Sequence, residues 1–216
     1  MSQDMLVKRM FLILHNPFTG KPDVGPDLLK CGLVAAELAE LMMARRLGME
    51  NDRVVVAEPS GSGSDEIGAF VVESIQRQPN AHTVRSWVEA LADVLYELVA
   101  RALVEQGTVR RVRGGRRLLG RSPDRFPAAD MLAASGPRLR LEHALRNPDE
   151  LDVQRATIAA ILGALEVERV LDFYHDDRPA AQAAIIAATE SLPFDLRALV
   201  AGVEDSLTAI SLIIKR

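Results

Sequence analysis

Residues 86–121 read SWVEALADVLYELVARALVEQGTVRRVRGGRRLLGR and join a long helical pattern to a cluster of arginines. Six arginines and no acid lie between positions 108 and 121, in a chain whose net charge is −4. Removing these six positive charges leaves a net charge of −10 for the rest of the chain. Such a local concentration of positive charge on an acidic protein indicates a surface that binds an anion.

The second half of this stretch predicts a β-hairpin over 109–120, because Gly114 and Gly115 favour a two-residue turn. That turn would place Arg113 opposite Arg116, and like charges that face each other destabilise a pair of strands. The hairpin is therefore expected to need an anionic partner. The acidic body of the protein, a second subunit and a ligand remain open as that partner, and so do arginines that simply extend into water.

The rest of the sequence predicts helices that surround this stretch. Apolar spacing and helix-start signals predict helices over 26–46, 65–78, 138–146, 179–190 and 194–214. Two more helices are predicted from capping residues, one from Thr83 to Gly107 and one that begins after Asp152. Residues 5–14 are apolar enough for either a buried helix or a strand. We predict one mainly α domain over residues 1–216, with peripheral β-hairpins near 47–57 and 109–120.

Several classes of protein are disfavoured by composition. No run of 18 apolar residues occurs, so no helix is expected to span a membrane. Cys31 is the only cysteine, which excludes an internal disulfide and fits a reducing, cytoplasmic compartment. Cys31 also lies on the apolar side of its predicted helix and is expected to pack in the core.

The sequence offers no catalytic or metal-binding constellation. The four histidines, His15, His82, His143 and His175, are never three or four residues apart, which removes the usual local zinc spacing. The best metal candidate, His175 with Asp176 and Asp177, precedes a helix opened by Pro179, where acids ordinarily serve as capping residues. The glycine-rich segments match no phosphate loop or nucleophile elbow. We expect no enzymatic activity, no metal and no cofactor.

Anionic lipid headgroups or phosphates are the expected ligands of the arginine cluster. Its predicted contact residues are Arg110, Arg111, Arg113, Arg116, Arg117 and Arg121. Four of them on one anionic surface would contribute about 4 kcal/mol, an association constant of only about a thousand per molar. A second attachment is needed, and Phe126 in the following RFP turn is predicted to insert into the membrane.

Four segments with matching order and spacing resemble bacterial members of the Golgi phosphoprotein 3 family. They are ELMMARRLGME (40–50), TVRSWVEAL (83–91), LVEQG (103–107) and RFPAAD (125–130). The resemblance extends over about 5–214 and implies a mainly helical domain with peripheral hairpins and no enzymatic activity. It also implies an adaptor that binds phosphatidylinositol 4-phosphate on membranes and retains client proteins, with a hairpin able to mediate self-association. A cytoplasmic protein, peripheral on the inner face of a membrane, is the corresponding expectation.

The lipid pocket of that family is not matched residue by residue. Alignment on ELMMARRL places the pocket tryptophan near Gly25 and the first pocket arginine near Val34. Alignment on LVEQG places two further arginines near Asp93 and Tyr96. None of the four residue types agrees, and Asp93 would repel a phosphate. The resemblance therefore implies phosphoinositide binding, while these positions argue against it.

Two other classes of function stay open at this point. A helix followed by a basic hairpin has the outline of a winged-helix nucleic-acid binder, although Asp93, Glu97 and Glu105 give the helix the wrong charge for DNA. Nucleic acid is therefore disfavoured. Alternatively, the protein is an oligomeric scaffold in which the arginine hairpin contacts the acidic surface of a neighbouring subunit.

Overall fold

The computed structural model describes residues 5–57, 66–78, 80–117, 120–173 and 177–214. Helices dominate these residues, and the strands are short, which confirms the predicted mainly α class. The helices are α1 (Leu6–Leu14), α2 (Pro26–Met43), α3 (Glu66–Gln76), α4 (Val84–Glu105), α5 (Met131–Arg146), α6 (Val153–Ala164), α7 (Arg178–Ser191) and α8 (Phe194–Ile214). The strands are β1 (Leu47–Glu50), β2 (Arg53–Val56), β3 (His82–Thr83), β4 (Arg116–Arg117) and β5 (Gly120–Arg121).

Helix α2 lies at the centre of the fold and packs against α1, α4, α6 and α8. Every residue from 31 to 39 is buried, so the helix is enclosed on several sides rather than along one stripe. Pro26 occupies the first turn, where its missing amide proton costs no hydrogen bond. The helix ends at Met43, before the predicted end at position 46, because Arg45 adopts a φ of 56° and directs the chain into β1.

The ambiguous segment at the N-terminus forms a helix, α1, rather than a strand. Nearly all of its residues are buried between α2 and α5. The chain then turns sharply, as the prolines and Gly20 predict, and His15 forms an antiparallel bridge with Pro22. This turn, residues 15–22, later contacts the arginine hairpin.

The first predicted hairpin is confirmed. Strands β1 and β2 pair from Leu47 opposite Val56, and the turn residues Asn51 and Asp52 have φ values of 49° and 59°. Both values belong to the type I′ turn that suits a two-residue hairpin. The third strand of this sheet, β3, was not predicted because two residues are too few to show a strand pattern.

The second hairpin exists, but its predicted register is wrong. The antiparallel pairs are Val109 with Ala128, Val112 with Arg125, Arg116 with Arg121 and Arg117 with Gly120. All four pairs share one register, which is centred on positions 118–119, outside the described residues. We call residues 109–128 the arginine hairpin.

Gly114 and Gly115 lie within one side of the arginine hairpin instead of forming its turn. A Cβ atom on Gly114 would come within 1.6 Å of the carbonyl oxygen of Ser122, whereas a Cβ on Gly115 would meet open space. The glycine at 114 therefore permits close approach of the two sides. The real register also removes the predicted Arg113–Arg116 repulsion, since it carries Arg113 opposite Asp124.

Helix α5 begins at Met131, seven residues before the predicted start at 138. Asp130 caps it by accepting a hydrogen bond from the Ala133 amide at 3.1 Å. Pro137 lies inside the helix, one residue before the predicted start. Leu139 is 58% exposed, whereas Leu141 and Leu145 are buried.

The C-terminal helices agree with their predicted positions. Asp152 caps α6 by accepting a hydrogen bond from the Arg155 amide at 2.7 Å. Helices α7 and α8 cover the predicted segments within one residue at each end. The metal candidate at His175 and Asp176 lies outside the described residues.

Candidate functional site: the arginine hairpin

The base of the arginine hairpin is anchored in the hydrophobic core by Phe126. This side chain is 1% exposed and makes edge contacts with Phe11, His15 and Tyr96, at ring-centroid distances of 5.6, 6.3 and 6.1 Å. The prediction that Phe126 inserts into a membrane is therefore wrong. Phe126 lies between the bridge residues Arg125 and Ala128 and is buried like Val109, which explains why an apparent turn residue is enclosed by the core.

Arg111 fastens the arginine hairpin to α4. Its Nη1 lies 3.0 Å from a carboxylate oxygen of Glu97, and its Nε lies 2.7 Å from Asp124. Its guanidinium also lies 5.5 Å from the centre of the Phe126 ring. Hydrogen bonds to Asp124 and then to Glu97 raise the pKa of Arg111. Two carboxylates already neutralise this arginine, so it serves the hairpin's position rather than an external anion.

Arg110 and Arg113, in contrast, are exposed and form no ion pair with any described residue. The backbone of Arg110 is fixed because its amide donates to the Pro127 carbonyl at 3.0 Å. Val112, between the two arginines, is 38% exposed. These residues give the hairpin a solvent-facing surface that combines positive charge with one apolar side chain.

Arg125 belongs to the same surface and was missed from the sequence. It pairs directly with Val112, and the two residues exchange backbone hydrogen bonds of 2.8 and 2.9 Å. Its side chain is partly exposed and has no ion pair among the described residues. The signal was available as the seventh arginine of the segment, but the incorrect turn position left it outside the predicted hairpin.

For the remaining predicted contact residues, the backbone pairing gives their positions in the hairpin. Arg116 lies opposite Arg121 in the ladder, and Arg117 lies opposite Gly120. One like-charge pair therefore persists at this end of the hairpin, which is destabilising unless counter-charge is supplied. The structure brings all six predicted arginines onto one hairpin and shows that Arg111 has internal partners.

The positions that match the family's lipid pocket cannot form a phosphate site. Val34 is buried in the core, and Asp93 forms an ion pair with Lys30. Tyr96 packs against Phe11 and Phe126, and burial, followed by the charge of Glu97, raises its pKa to about 12. None of these side chains can present positive charge to a ligand.

A groove of about 590 Å³ runs along α4 beside the arginine hairpin. Its floor is apolar, and its charged lining residues are Asp93, Glu97, Arg101, Glu105 and Arg111. Three acids against two arginines give this lining a net charge of −1. The groove is therefore unsuited to a phosphate, and the exposed side of the hairpin remains the best anion contact.

His15 lies beneath the hairpin base and is held uncharged. Its ring stacks on Phe11 at 3.9 Å, and its Nδ1 donates a hydrogen bond to the Phe11 carbonyl at 2.8 Å. Burial lowers its pKa to about 4. The hairpin base thus packs on an aromatic cluster that includes a buried histidine with a lowered pKa.

The described ranges also bear on metal binding and on membrane crossing. No group of three metal-ligating side chains occurs among these residues. None of the described helices has the length and apolar character needed to cross a bilayer. Cys31 is buried, as predicted, and burial raises the pKa of its thiol to about 12.

The fold and the site together define a mainly helical protein with a positively charged peripheral hairpin. The family model for Golgi phosphoprotein 3 (GPP34) matches residues 6–204, and the chain belongs to this family. No match was found among curated proteins. Family membership confirms the resemblance seen in the sequence and supports an adaptor-type protein.

Proposed function

We propose that this protein is a non-enzymatic peripheral membrane adaptor whose arginine hairpin contacts anionic phospholipid headgroups. The single observation that carries the proposal is a set of hairpin arginines that reach solvent: Arg110, Arg113 and Arg125 have no acidic partner among the described residues. Anionic headgroups would supply the counter-charge that the paired Arg116 and Arg121 also require.

The expected contact is one of charge rather than of a fitted headgroup pocket. The family's pocket positions carry Val34, Asp93 and Tyr96, which are buried, acidic or packed against aromatic rings. Arginines on an exposed strand can follow a charged surface without enclosing one particular headgroup. We therefore expect binding to respond to the density of negative charge in the membrane.

The magnitude of this contact follows from the number of available arginines. Each basic residue near an anionic membrane contributes about 1 kcal/mol, so Arg110, Arg113 and Arg125 together contribute about 3 kcal/mol. Removing them should weaken vesicle binding by about a hundredfold. The contact should also weaken with added salt, because exposed charges are screened.

Sedimentation with lipid vesicles tests the proposal. The wild-type protein should sediment with vesicles that contain phosphatidylserine and not with phosphatidylcholine alone. The triple variant Arg110→Gln, Arg113→Gln and Arg125→Gln should lose this binding. Equal binding of the variant and the wild type would reject the hairpin as the membrane contact.

A second triple variant provides a control with the same change in net charge. Arg45, Arg169 and Arg178 are exposed, lie away from the hairpin in the sequence and take part in no ion pair with described residues. Their replacement by glutamine should leave vesicle binding close to wild type. Loss of binding in both variants would show that total charge, and not the hairpin, controls attachment.

A further inference from the structure

The most exposed aromatic side chain near the arginine hairpin is Phe18, which is 76% exposed. It lies in the turn after α1, and this turn is well defined. The amides of Phe18 and Thr19 donate to the side-chain oxygen of Asn16 at 3.1 and 3.0 Å. The Gly20 amide donates to the backbone carbonyl of Asn16 at 2.8 Å. These bonds hold Phe18 outward in a fixed turn.

The turn that carries Phe18 is joined directly to the arginine hairpin. The Phe126 amide donates to the Gly20 carbonyl, and the Ala128 amide donates to the Pro17 carbonyl, both at 2.8 Å. Gly20 has a φ of 66°, and a Cβ there would approach the backbone nitrogen of Pro127 to 2.1 Å. The close fit fixes the turn against the hairpin.

Helix α5, which follows the hairpin in the chain, carries two more exposed apolar side chains. Leu132 is 82% exposed and Leu139 is 58% exposed. They are seven residues apart, so they lie two turns apart on the same face of the helix. Leu132 follows Ala128 by four residues, which places it within about 14 Å of the backbone that bonds to Pro17.

The segments that carry these side chains are strongly basic. Residues 15–23 and 108–141 contain ten basic and three acidic residues. The three acids are each engaged within the protein. Asp23 pairs with Arg138, Asp124 pairs with Arg111, and Asp130 caps α5.

Several of the basic residues in these two segments remain available. The cations without an ion-pair partner among the described residues are Lys21, Arg110, Arg113, Arg125 and Arg140. Exposed apolar residues flanked by unpaired cations are typical of surfaces that lie in a membrane interface.

We propose that Phe18, Leu132 and Leu139 form an apolar strip that enters the interfacial region of an anionic bilayer. The proposal rests on the function proposed above and supplies the second attachment that the arginines alone lack. It also replaces Phe126, which is buried, as the inserted residue. Each inserted side chain gains free energy from leaving water, and the flanking arginines gain from the headgroups.

Charge favours a bilayer over a second copy of this protein as the occupant. Two copies that meet through this face would each bring a net charge of +7 from the same two segments, and like charges in an interface oppose association. The cores of protein interfaces are also depleted in charge. An anionic bilayer offers both negative headgroups and an apolar layer.

Insertion can be measured directly with the variant Phe18→Trp and vesicles that contain brominated acyl chains. We expect the fluorescence of this tryptophan to be quenched when the protein is bound. The native Trp87 is buried, so the wild-type protein serves as the unquenched reference. A vesicle-bound Phe18→Trp protein that shows no additional quenching would overturn the proposal.

Polar substitutions test the energetic contribution of the strip. Phe18→Ser and Leu132→Ser should each lower the vesicle partition coefficient about tenfold, since about one large apolar side chain is lost from the interface. Ile186→Ser changes an equally large exposed side chain on α7 and should have no effect. Circular dichroism would confirm that each variant folds.

The outcomes separate this proposal from the function on which it rests. If the arginine triple variant loses binding while Phe18→Ser and Leu132→Ser bind as wild type, the strip is rejected and the basic hairpin stands. If the wild type binds no anionic vesicle, both proposals fall. If Phe18→Ser instead dissociates a stable oligomer in light scattering, the strip is a protein contact and the proposal is overturned.

Discussion

Replacing Arg111 by methionine should loosen the arginine hairpin while leaving its exposed charges in place. The substitution keeps a long apolar side chain over Phe126 but removes the ion pairs with Glu97 and Asp124. The Asp124 carboxylate is the more protected partner, at 21% exposure, whereas Glu97 is 54% exposed. We therefore expect the Asp124 pair to contribute more.

The magnitude is moderate because Arg111 is itself 38% exposed and its charge is partly screened. We assign about 1 kcal/mol to the Asp124 pair and about 0.5 kcal/mol to the Glu97 pair, within the range of exposed ion pairs. Loss of the cation–π contact adds about 0.5 kcal/mol. The total of about 2 kcal/mol corresponds to about a 30-fold change in the opening equilibrium of the hairpin.

Amide hydrogen exchange measures this local opening at two positions. The Val112 and Arg125 amides bond to each other's carbonyls across the hairpin, so both should exchange about 30-fold faster in Arg111→Met. Arg113→Met is the matched control, because Arg113 has no ion pair among the described residues. Unchanged exchange in Arg111→Met, or equal acceleration in both variants, would refute the assignment of Arg111 as the residue that holds the hairpin.

Three further predictions concern the hairpin base and the core. Burial lowers the pKa of His15 to about 4, so the unfolded chain binds more protons than the folded protein below about pH 6.5. The free energy of unfolding should therefore fall by about 3 kcal/mol as pH drops from 6.5 towards 4. In chemical denaturation, the free energy of unfolding of His15→Phe should depend less steeply on pH across this range. Gly114→Ala should destabilise the hairpin by about 2 kcal/mol because the added Cβ would clash with Ser122, whereas Gly115→Ala should have little effect. The hydrogen-exchange rate of the Arg125 amide measures both effects. Cys31 should react with an alkylating reagent only after denaturation, because its thiol is buried and its pKa is raised to about 12; fast alkylation of the native protein would contradict this.

Most of the helical body could be predicted because its signals are local. The apolar spacing of α2, α4 and α8 and the caps at Thr83 and Asp152 each involve residues within a few positions of one another. Helix α5 was the exception, because its start at Met131 was predicted seven residues too late. Pro137 lies within α5, where it removes one backbone hydrogen bond without ending the helix.

The register of the arginine hairpin could not be predicted from local rules. Gly114 and Gly115 form the strongest turn signal in the segment, but tertiary packing decides the pairing. Burial of Phe126 against Phe11 and His15 fixes the second side of the hairpin, and both partners lie more than a hundred residues earlier in the sequence. The same long-range contact explains why Phe126 was wrongly assigned to the membrane and why Arg125 was overlooked.

We propose that the basic hairpin recognises membrane charge and not one lipid headgroup. Vesicle sedimentation tests this directly, with phosphatidylinositol 4-phosphate or phosphatidylserine as the only anionic lipid and with total surface charge matched. We predict equal affinities for the two compositions, and loss of both in the variant Arg110→Gln, Arg113→Gln, Arg125→Gln. A strong preference for phosphatidylinositol 4-phosphate that survives this triple substitution would show that a fitted headgroup site, and not the hairpin's charge, controls binding.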